Sequence, residues 1–256
     1  MKFVSIIVCH YGQVDAFGGI RSAELSRSAM MKQSLESLFK NTDYPAEIIV
    51  MDNGGNPDDS EWFLERQREG FIDTYVRFKE NMNFAFAWNQ GFRLATGDYI
   101  CFTCNDIEYG KGWLETCISL LEKYNDRKLL ATPLITPDKD RSNFNKEILE
   151  DARINSLAGS NCFIIRPGDF KAIGEIPHHR VGGSIWHRRM HQKGYMVIAP
   201  PKNMANHLAS KGGTNYKIHV EIERTLLKGE KINYTYDYNG YEQMYNGFQK
   251  DAGVKL

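Results

Sequence analysis

Short, continuous apolar runs that alternate with amphipathic segments are the feature of this sequence that most restricts its fold. Such runs are typical of strands buried on both faces of a sheet, and the segments between them carry apolar residues at helical spacing. The pattern predicts strands at 3–9, 46–51, 74–78 and 99–104, and helices at 30–39, 60–68, 85–95 and 112–124. Strands that alternate with helices indicate an α/β fold with a mostly parallel central sheet.

The second half of the chain is less regular than the first. It predicts strands at 129–135, 161–165 and 195–199, and helices at 186–193 and 216–227. No repeat and no Pro-, Gly- or Ser-rich linker divides the 256 residues, so we expect a single domain. The long connection at 11–28 is predicted to be functional or mobile, because compact domains rarely contain loops of that length.

The formal net charge of zero hides two halves of opposite sign. Residues 1–128 carry 14 Lys and Arg against 19 Asp and Glu, whereas residues 129–256 carry 18 against 13. Residues 176–220, which we call the acid-free segment, contain no carboxylate side chain, seven Lys or Arg and six of the seven histidines. A solvated basic face is one interpretation. The other is a surface that meets an anionic partner.

Cysteine usage bears on the compartment. The five cysteines are an odd number and mostly lie in apolar runs, which is typical of buried free thiols in a reducing compartment and predicts a cytoplasmic protein. Cys101 and Cys104 form a C-x-x-C inside a strand-like run with no second pair, which argues against a zinc site. No run approaches the ~18 apolar residues of a membrane span, so we expect no transmembrane segment.

Polar residues follow each of the first four predicted strands. They are His-Tyr-Gly at 10–12, Asp-Asn-Gly-Gly at 52–55, Asn-Met-Asn at 81–83 and Asn-Asp at 105–106. Each cluster taken alone has a structural explanation as a turn or a helix cap. Because ligands bind outside the carboxyl ends of the strands in parallel sheets, the four clusters together predict a binding site.

The same segments resemble family 2 glycosyltransferases, which have the GT-A fold. Segment 3–11 resembles that family's opening strand, 48–54 its second-strand motif, 81–89 its Asn-x-Gly-x-Ala…Asn signature, and 97–106 the strand that leads to its Asp-x-Asp metal motif. Further features fall in the family's order at 159–166, Gly174, Arg189, 194–195 and His207. The resemblance implies a Rossmann-like three-layer α/β/α domain, with a nucleotide-sugar half at 1–108 and an acceptor-side half with a C-terminal extension at 109–256.

The resemblance also implies an activity and its residues. The chain would move a hexose or pentose from a nucleoside-diphosphate sugar to an acceptor hydroxyl. Asp106 and His207 would hold a divalent cation, Mn²⁺ or Mg²⁺, and the mixed carboxylate and imidazole set favours Mn²⁺. The residues implied to contact the nucleotide sugar are Tyr11 against the base, Asp52 hydrogen-bonded to the base, Asn81, Asn83 and Asn105.

Two departures from the family pattern concern the nucleotide side. The metal motif is Cys-Asn-Asp at 104–106, so only its last acid remains. Asn83 stands where the family usually has glycine, and we expect its side chain to narrow the pocket.

A third departure concerns the catalytic base. Inverting members of the family carry an acidic pair six or seven residues before the arginine, and those positions here are Gly182 and Gly183. Three explanations follow. A histidine among His178, His179 and His187 replaces the acid, with His179 as our candidate; transfer retains configuration by a front-face route, with the leaving phosphate taking the proton; or the alignment is shifted, so that Glu175 or Asp169 enters the site.

The acid-free segment lies in the half that faces the acceptor by resemblance. We expect Arg180, Trp186 and Arg189 to contact the acceptor or phosphates, with core packing as the alternative for Trp186. Hydroxylated DNA, a lipid-linked phosphate and an anionic glycan are the acceptors considered. The alternative function is a non-catalytic module that binds a nucleotide sugar or nucleic acid with the same fold.

Overall fold

One mixed sheet of nine strands organises the chain. The computed structural model describes residues 2–11, 27–133, 145–155, 161–178 and 182–208. The strands are β1 Val4–His10, β2 Ala46–Asp52, β3 Thr74–Arg77, β4 Tyr99–Cys104, β5 Ile107–Tyr109, β6 Leu129–Ala131, β7 Asn145–Ile148, β8 Arg153–Asn155, β9 Cys162–Ile165, β10 Met196–Ala199 and β11 Ala205–His207. The helices are α1 Arg27–Asn41, α2 Pro57–Arg68, α3 Phe84–Leu94, α4 Trp113–Lys123, α5 Pro167–Ile173 and α6 Gly182–Gln192.

The sheet has the order β3-β2-β1-β4-β9-β6-β10-β8-β7. Strands β3, β2, β1 and β4 pair in parallel, β9 is antiparallel to both of its neighbours, and β6 and β10 are again parallel to each other. Only β8 and β9 therefore run against the other seven strands of this sheet. The prediction of a mostly parallel α/β sheet is confirmed. The remaining pair, β5 and β11, forms a separate antiparallel ribbon.

Helices cover both faces of the sheet, which gives three layers. Alternate residues of a strand point to opposite faces, so Val4, Ile6 and Val8 pack with α1, α2 and α4. Ile7 and Cys9 pack on the other side with α3, α5 and α6. Burial on both faces explains why β1 is apolar along nearly its whole length.

The cysteines are free and mostly buried, as the apolar runs around them predicted. All five cysteines are free; Cys104 is partly exposed and the other four are buried. Across the described ranges, no helix combines the length and the apolar character needed to cross a membrane.

Several short elements differ from the sequence prediction. Helix α6 begins at Gly182, whereas the sequence predicted a start at 186. The prediction missed the first turn because it is rich in glycine and lacks helical periodicity. The ribbon of β5 and β11, the β7–β8 hairpin and α5 were not predicted, because these short segments show neither a continuous apolar run nor a helical period. The predicted helix at 216–227, the segment at 234–248 with its five tyrosines, and most of the 11–28 connection lie outside the described residues.

Candidate functional site

The carboxyl ends of the first four strands meet at one edge of the sheet. His10 at the end of β1 is in register with Asp52 at the end of β2, and Asp52 with Arg77 at the end of β3. Cys9 is in register with Cys104 at the end of β4. The polar clusters that follow these strands therefore gather at a common edge, as predicted. Tyr11, which follows β1 directly, is partly exposed there.

Asp106 and His207 lie side by side, although about a hundred residues separate them in the chain. His207 Nε2 is 3.3 Å from Asp106 Oδ2, and both side chains are mostly but not fully buried. The ribbon causes this contact, because β11 pairs with β5 so that His207 is opposite Ile107. The backbone N–H of Leu208 also donates to the carbonyl of Asp106 at 2.8 Å.

This pair suits a divalent cation. A carboxylate oxygen and an imidazole nitrogen are compatible donors for Mn²⁺, and their separation allows both to face one ion. No group of three or more His, Cys, Asp or Glu side chains gathers as a metal site within the described ranges. A cation bound here would therefore complete its coordination with diphosphate oxygens and water, which is typical of sites that bind a metal–nucleotide complex.

Asn105, next to Asp106, is tied to the end of β1. Its Nδ2 donates to His10 Nδ1 at 2.8 Å, and His10 Nε2 is 3.1 Å from Asp59 Oδ2. His10 and Asp59 are almost completely buried. His10 belongs to the first of the four polar clusters that predicted a binding site, but no role was assigned to it, and Asp59 was not predicted to be functional. The available signal was a polar residue that ends an otherwise apolar buried strand.

Asp52 is buried, and its carboxylate is occupied by the protein. Oδ1 accepts the backbone N–H of Gly55 at 2.7 Å, and Oδ2 accepts the hydroxyls of Ser60 and Tyr75, each at 2.7 Å. Arg77 Nε lies 3.5 Å from Oδ2. The structure thus places Asp52 beneath the loop after β2, where it fixes the loop's shape. A hydrogen bond from Asp52 to a nucleobase stays a prediction.

Two asparagines join the loop after β2 to the loop after β3. Asn53 Nδ2 donates to Asn81 Oδ1 at 2.8 Å, while Asn53 Oδ1 accepts the N–H of Met82 at 2.8 Å. Asn81 is exposed at the edge and also accepts the N–H of Asn83. This arrangement leaves Asn81 at the edge of the sheet, and its contact with a nucleotide stays a prediction.

Asn83 has an unusual backbone for a residue with a side chain. Its φ is 80° and its ψ is 144°, and within the described ranges it is the only non-glycine residue with a positive φ. This conformation suits glycine, which is the family's residue at this position. The Asn83 side chain turns onto the N–H of Ala85 at 2.8 Å and caps α3. It is nearly buried, so the geometry favours a capping role over the expected narrowing of the pocket.

His178 is fixed in one tautomer by Asn89. The Asn89 amide donates to the carbonyl of Ile176 and accepts the N–H of the same residue, which fixes which atom is Nδ2. Nδ2 also lies 3.1 Å from His178 Nε2, which must accept. Burial lowers the pKa of His178, with Arg93 adding to the effect and Glu175 opposing it. The lone pair of Nε2 is thus directed at the Asn89 amide and not at the hydroxyl of a sugar acceptor.

Of the other two histidines considered as the catalytic base, the structure describes only His187. His187 is buried against Trp186 and Phe163, and burial, together with nearby His191, lowers its pKa to about 4. A buried neutral imidazole of this kind is poorly placed to reach a substrate hydroxyl. His179, our candidate, lies outside the described residues.

The two carboxylates considered under a shifted alignment have structural partners. Glu175 pairs with Arg93 at 2.5 Å, and Asp169 accepts the Tyr195 hydroxyl at 2.9 Å. Gly182 approaches the backbone so closely that a Cβ there would lie 2.1 Å from the carbonyl oxygen of Pro177. An acidic side chain therefore does not fit at position 182 in this arrangement.

The three residues that were expected to contact the acceptor or phosphates have different environments. Trp186 is 1% exposed, donates from Nε1 to the carbonyl of Gly174 at 2.8 Å, and stacks on Phe163. The alternative of core packing therefore describes Trp186. Arg189 donates to the carbonyl of Glu175 at 3.0 Å and supports the same turn. Arg180 lies outside the described residues.

Two curated relatives match less than half of the chain. A putative polypeptide N-acetylgalactosaminyltransferase 13 from Drosophila melanogaster is 30% identical over 121 residues, which is 43% of this chain and 21% of the relative. Hyaluronan synthase from Pasteurella multocida is 34% identical over 134 residues, 49% of this chain and 13% of the relative. The chain thus spans about a fifth or less of either relative.

Solved structures confirm the fold. The mannosyltransferase PcManGT from Pyrobaculum calidifontis, in complex with GDP-Man and Mn²⁺, has a TM-score of 0.62 at 17% identity, covering 85% of this chain and 60% of its own. GalNAc-T7 with UDP, GalNAc and Mn²⁺ has a TM-score of 0.60 at 14% identity, covering 80% of this chain and 43% of its own.

A family profile extends over more of the chain than the individual relatives do. The profile described as Glycosyl transferase family 2 matches residues 24–196. That range runs from before α1 to the start of β10 and includes the ends of β2, β3 and β4. The chain belongs to glycosyl transferase family 2.

Proposed function

We propose that the chain transfers a sugar from a nucleoside-diphosphate sugar to an acceptor hydroxyl, with Asp106 and His207 holding a divalent cation. The observation that carries this proposal is the Asp106–His207 pair, 3.3 Å apart beside the carboxyl ends of the parallel strands. Family membership and two structural neighbours with Mn²⁺ and a nucleotide or nucleotide sugar support it.

Transfer breaks the bond between the sugar's anomeric carbon and the diphosphate, and forms a bond from that carbon to the acceptor oxygen. A bound Mn²⁺ or Mg²⁺ supplies positive charge that stabilises the departing diphosphate. In this proposal Tyr11 lies against the nucleobase, and Asn81 and Asn105 line the nucleotide. Asp52 holds the loop beneath the base in shape, because its carboxylate oxygens are already bonded to Gly55, Ser60 and Tyr75.

The anomeric configuration of the product separates two routes for the acceptor proton. A base such as His179 would give inversion, whereas proton transfer to the leaving phosphate would give retention without a protein base. Each described candidate for the base is buried or already paired within the protein. His178 and Asp169 are hydrogen-bonded, His187 is buried, and Glu175 pairs with Arg93. NMR of the first product formed identifies the route, because the coupling constant between the anomeric carbon and its hydrogen differs between the two configurations.

Release of nucleoside diphosphate tests the activity. A thermal-shift screen across a panel of sugar nucleotides with Mn²⁺ first identifies the donor, since a ligand stabilises the native state according to its affinity. We then expect Asp106→Asn to lower turnover of that donor by about 100-fold or more. Asp126→Asn is the matched control, because this exposed carboxylate precedes β6 at the opposite edge of the sheet. Equal turnover in wild type and Asp106→Asn would overturn the proposal.

A binding module without catalysis is the second candidate. Its specific support is the lack of any acid in the acid-free segment together with the tight contact of Gly182 on Pro177. The same assay decides. A donor that stabilises the wild type, but is neither hydrolysed nor transferred to any acceptor, would favour the binding module over the enzyme.

We further propose that the acceptor is anionic. Arg188 and Lys202 are exposed in the acid-free segment, and no carboxylate of that segment neutralises them. Mobility-shift assays with single- and double-stranded DNA, and sedimentation with anionic lipid vesicles, test two classes of acceptor at low salt, and an anionic glycan competitor tests the third. We expect binding to one class that weakens as salt rises. Binding to none of them would contradict an anionic acceptor.

A further inference from the structure

A buried chain of hydrogen bonds leads from α2 to the residue beside the proposed cation ligand. Asp59 lies in the first turn of α2 and is 1% exposed, and His10, the last residue of β1, has no exposed surface. The His10 ring bridges the two ends of this chain, with Nε2 3.1 Å from Asp59 Oδ2 and Nδ1 2.8 Å from Asn105 Nδ2.

The hydrogen bonds define what each nitrogen of His10 does. An amide Nδ2 can only donate, so His10 Nδ1 accepts, and the proton of a neutral ring is on Nε2, where it is donated to Asp59. Burial raises the pKa of Asp59, but hydrogen bonds from His10, Ser28 and Asn56 lower it more, and the net shift is downward. An ionised Asp59 is the acceptor that this tautomer needs.

The ring of His10 has little room to move. Phe63 contacts it edge-on, with ring centroids 5.0 Å apart. A Cβ placed on Gly55 would lie 3.0 Å from His10 Nε2, so the backbone of Gly55 also lies close against the ring. Asp59 is itself held by Ser28 Oγ at 3.0 Å and Asn56 Nδ2 at 2.7 Å. The acceptor nitrogen offered to Asn105 is therefore fixed in position.

Asn105 and Asp106 form the turn between β4 and β5. This turn is bonded on one side through the Asn105 side chain to His10, and on the other through the Asp106 carbonyl to the N–H of Leu208. These two bonds hold the turn that carries the Asp106 carboxylate.

We propose that His10, oriented by Asp59, is a positioning residue that holds the Asn105–Asp106 turn so that Asp106 and His207 face one cation. The inference rests on the cation site of the proposed function. It assigns no contact between His10 and substrate or metal. Residues that hydrogen-bond a metal ligand directly affect metal affinity by about 10- to 100-fold when removed. His10 acts one residue further away, through Asn105, so we expect the lower end of that range.

Two substitutions at His10 each remove one of its two hydrogen bonds and keep the other. In His10→Asn, the side-chain oxygen takes the place of Nδ1 and still accepts from Asn105, while the contact with Asp59 is lost. In His10→Gln, the amide nitrogen takes the place of Nε2 and still donates to Asp59, while the acceptor for Asn105 is lost. Mn²⁺ affinity is measured on the full chain with Mn²⁺ alone, from the electron paramagnetic resonance signal of the free ion.

We expect His10→Gln to weaken Mn²⁺ binding by about tenfold or more, and His10→Asn to stay within about threefold of wild type. Equal affinities in the two variants, whether both match wild type or both are weakened, would overturn the role of Nδ1. Asn105→Ala is a second test if a His10 variant does not fold, because Asn105 is partly exposed in a turn. It should reproduce the loss in His10→Gln, and wild-type affinity in Asn105→Ala would also overturn the proposal.

Failure of the proposed function gives a different result. If the wild type binds Mn²⁺ no more tightly than the Asp106→Asn variant, both with Mn²⁺ alone and with UDP present, the cation site itself is refuted, and the role of His10 with it. If the wild type binds Mn²⁺ through Asp106 but the His10 and Asn105 variants bind equally well, only the positioning role is refuted.

Discussion

Asp52 illustrates how a buried carboxylate organises the loops around a candidate site. Its oxygens accept from Gly55, Ser60 and Tyr75. Burial, and the hydrogen bond to Asp52, raise the pKa of Tyr75, so the phenol stays protonated and donates at neutral pH. Ionised acceptors make stronger hydrogen bonds than neutral ones, so Asp52 ties β3, the start of α2 and the loop after β2 together.

Asn83 gives a prediction in which two small residues have different effects. Asn83→Gly relieves the positive φ and loses little capping, so we expect its free energy of unfolding to lie within about 1 kcal/mol of wild type. Asn83→Ala keeps a Cβ at φ 80° and loses the hydrogen bond to Ala85, so we expect destabilisation by about 1–2 kcal/mol. Urea denaturation measures both. A glycine variant as unstable as the alanine variant would contradict the strain at this position.

His187 predicts a pH dependence of stability. Burial lowers the pKa of His187 to about 4 in the folded chain, against about 6.5 when unfolded. Because the folded pKa is the lower one, the unfolded state takes up a proton first as the pH falls. The contribution of His187 is therefore full above about pH 6.5 and is lost toward pH 4, by up to about 3 kcal/mol.

The variant His187→Phe isolates this effect from other titrating groups. The ring is expected to keep its packing on Trp186 and Phe163, and no hydrogen bond to Nε2 is lost among the described residues. We expect the variant to resemble wild type at pH 7 and to exceed it in free energy of unfolding near pH 4.5. Parallel pH profiles for the two proteins would show that His187 does not cause the loss.

At the scale of elements, a close backbone contact determines where α6 begins. A Cβ at Gly182 would lie 2.1 Å from the Pro177 carbonyl oxygen, whereas a Cβ at Gly168 in α5 would meet nothing within 4 Å. We expect Gly182→Ala to destabilise the fold by about 1–3 kcal/mol, because the helix must shift. The control Gly168→Ala should stabilise it by about 0.5–1 kcal/mol through helix propensity. Chemical denaturation tests both signs, and a neutral Gly182→Ala would contradict the contact.

Elements with a continuous apolar run or a clear helical period were predictable from sequence, and short elements of mixed composition were not. β1, β2 and β4 are apolar because both faces are buried, so their positions follow from composition alone. The ribbon of β5 and β11 has three residues in each strand, and its pairing joins segments about a hundred residues apart. Asp106 and His207 were predicted together only through the family resemblance. The bond from His10 to Asn105 depends on side-chain geometry, and no periodicity in the sequence reports it.

At the scale of the whole molecule, the proposed site joins the two halves of the chain. Asp106 belongs to the acidic half and His207 to the basic half, and the structure brings them to 3.3 Å. Between them the chain contributes β6, β7, β8, β9 and β10 to the nine-stranded sheet. A cation shared by these two side chains would therefore link the two strands of the ribbon, β5 and β11, which are about a hundred residues apart in the chain.

This linkage predicts that Mn²⁺ protects the ribbon from amide exchange. A ligand at 100 times its Kd raises the free energy of opening by about 2.7 kcal/mol, which slows exchange by about 100-fold where opening requires release of the ion. We expect this slowing, with Mn²⁺ and UDP present, in peptides that cover Ile107–Tyr109 and Ala205–His207. The β7–β8 hairpin contributes no residue to the proposed site and serves as the internal reference. In Asp106→Asn the protection should disappear, and equal protection in variant and wild type would place the cation elsewhere.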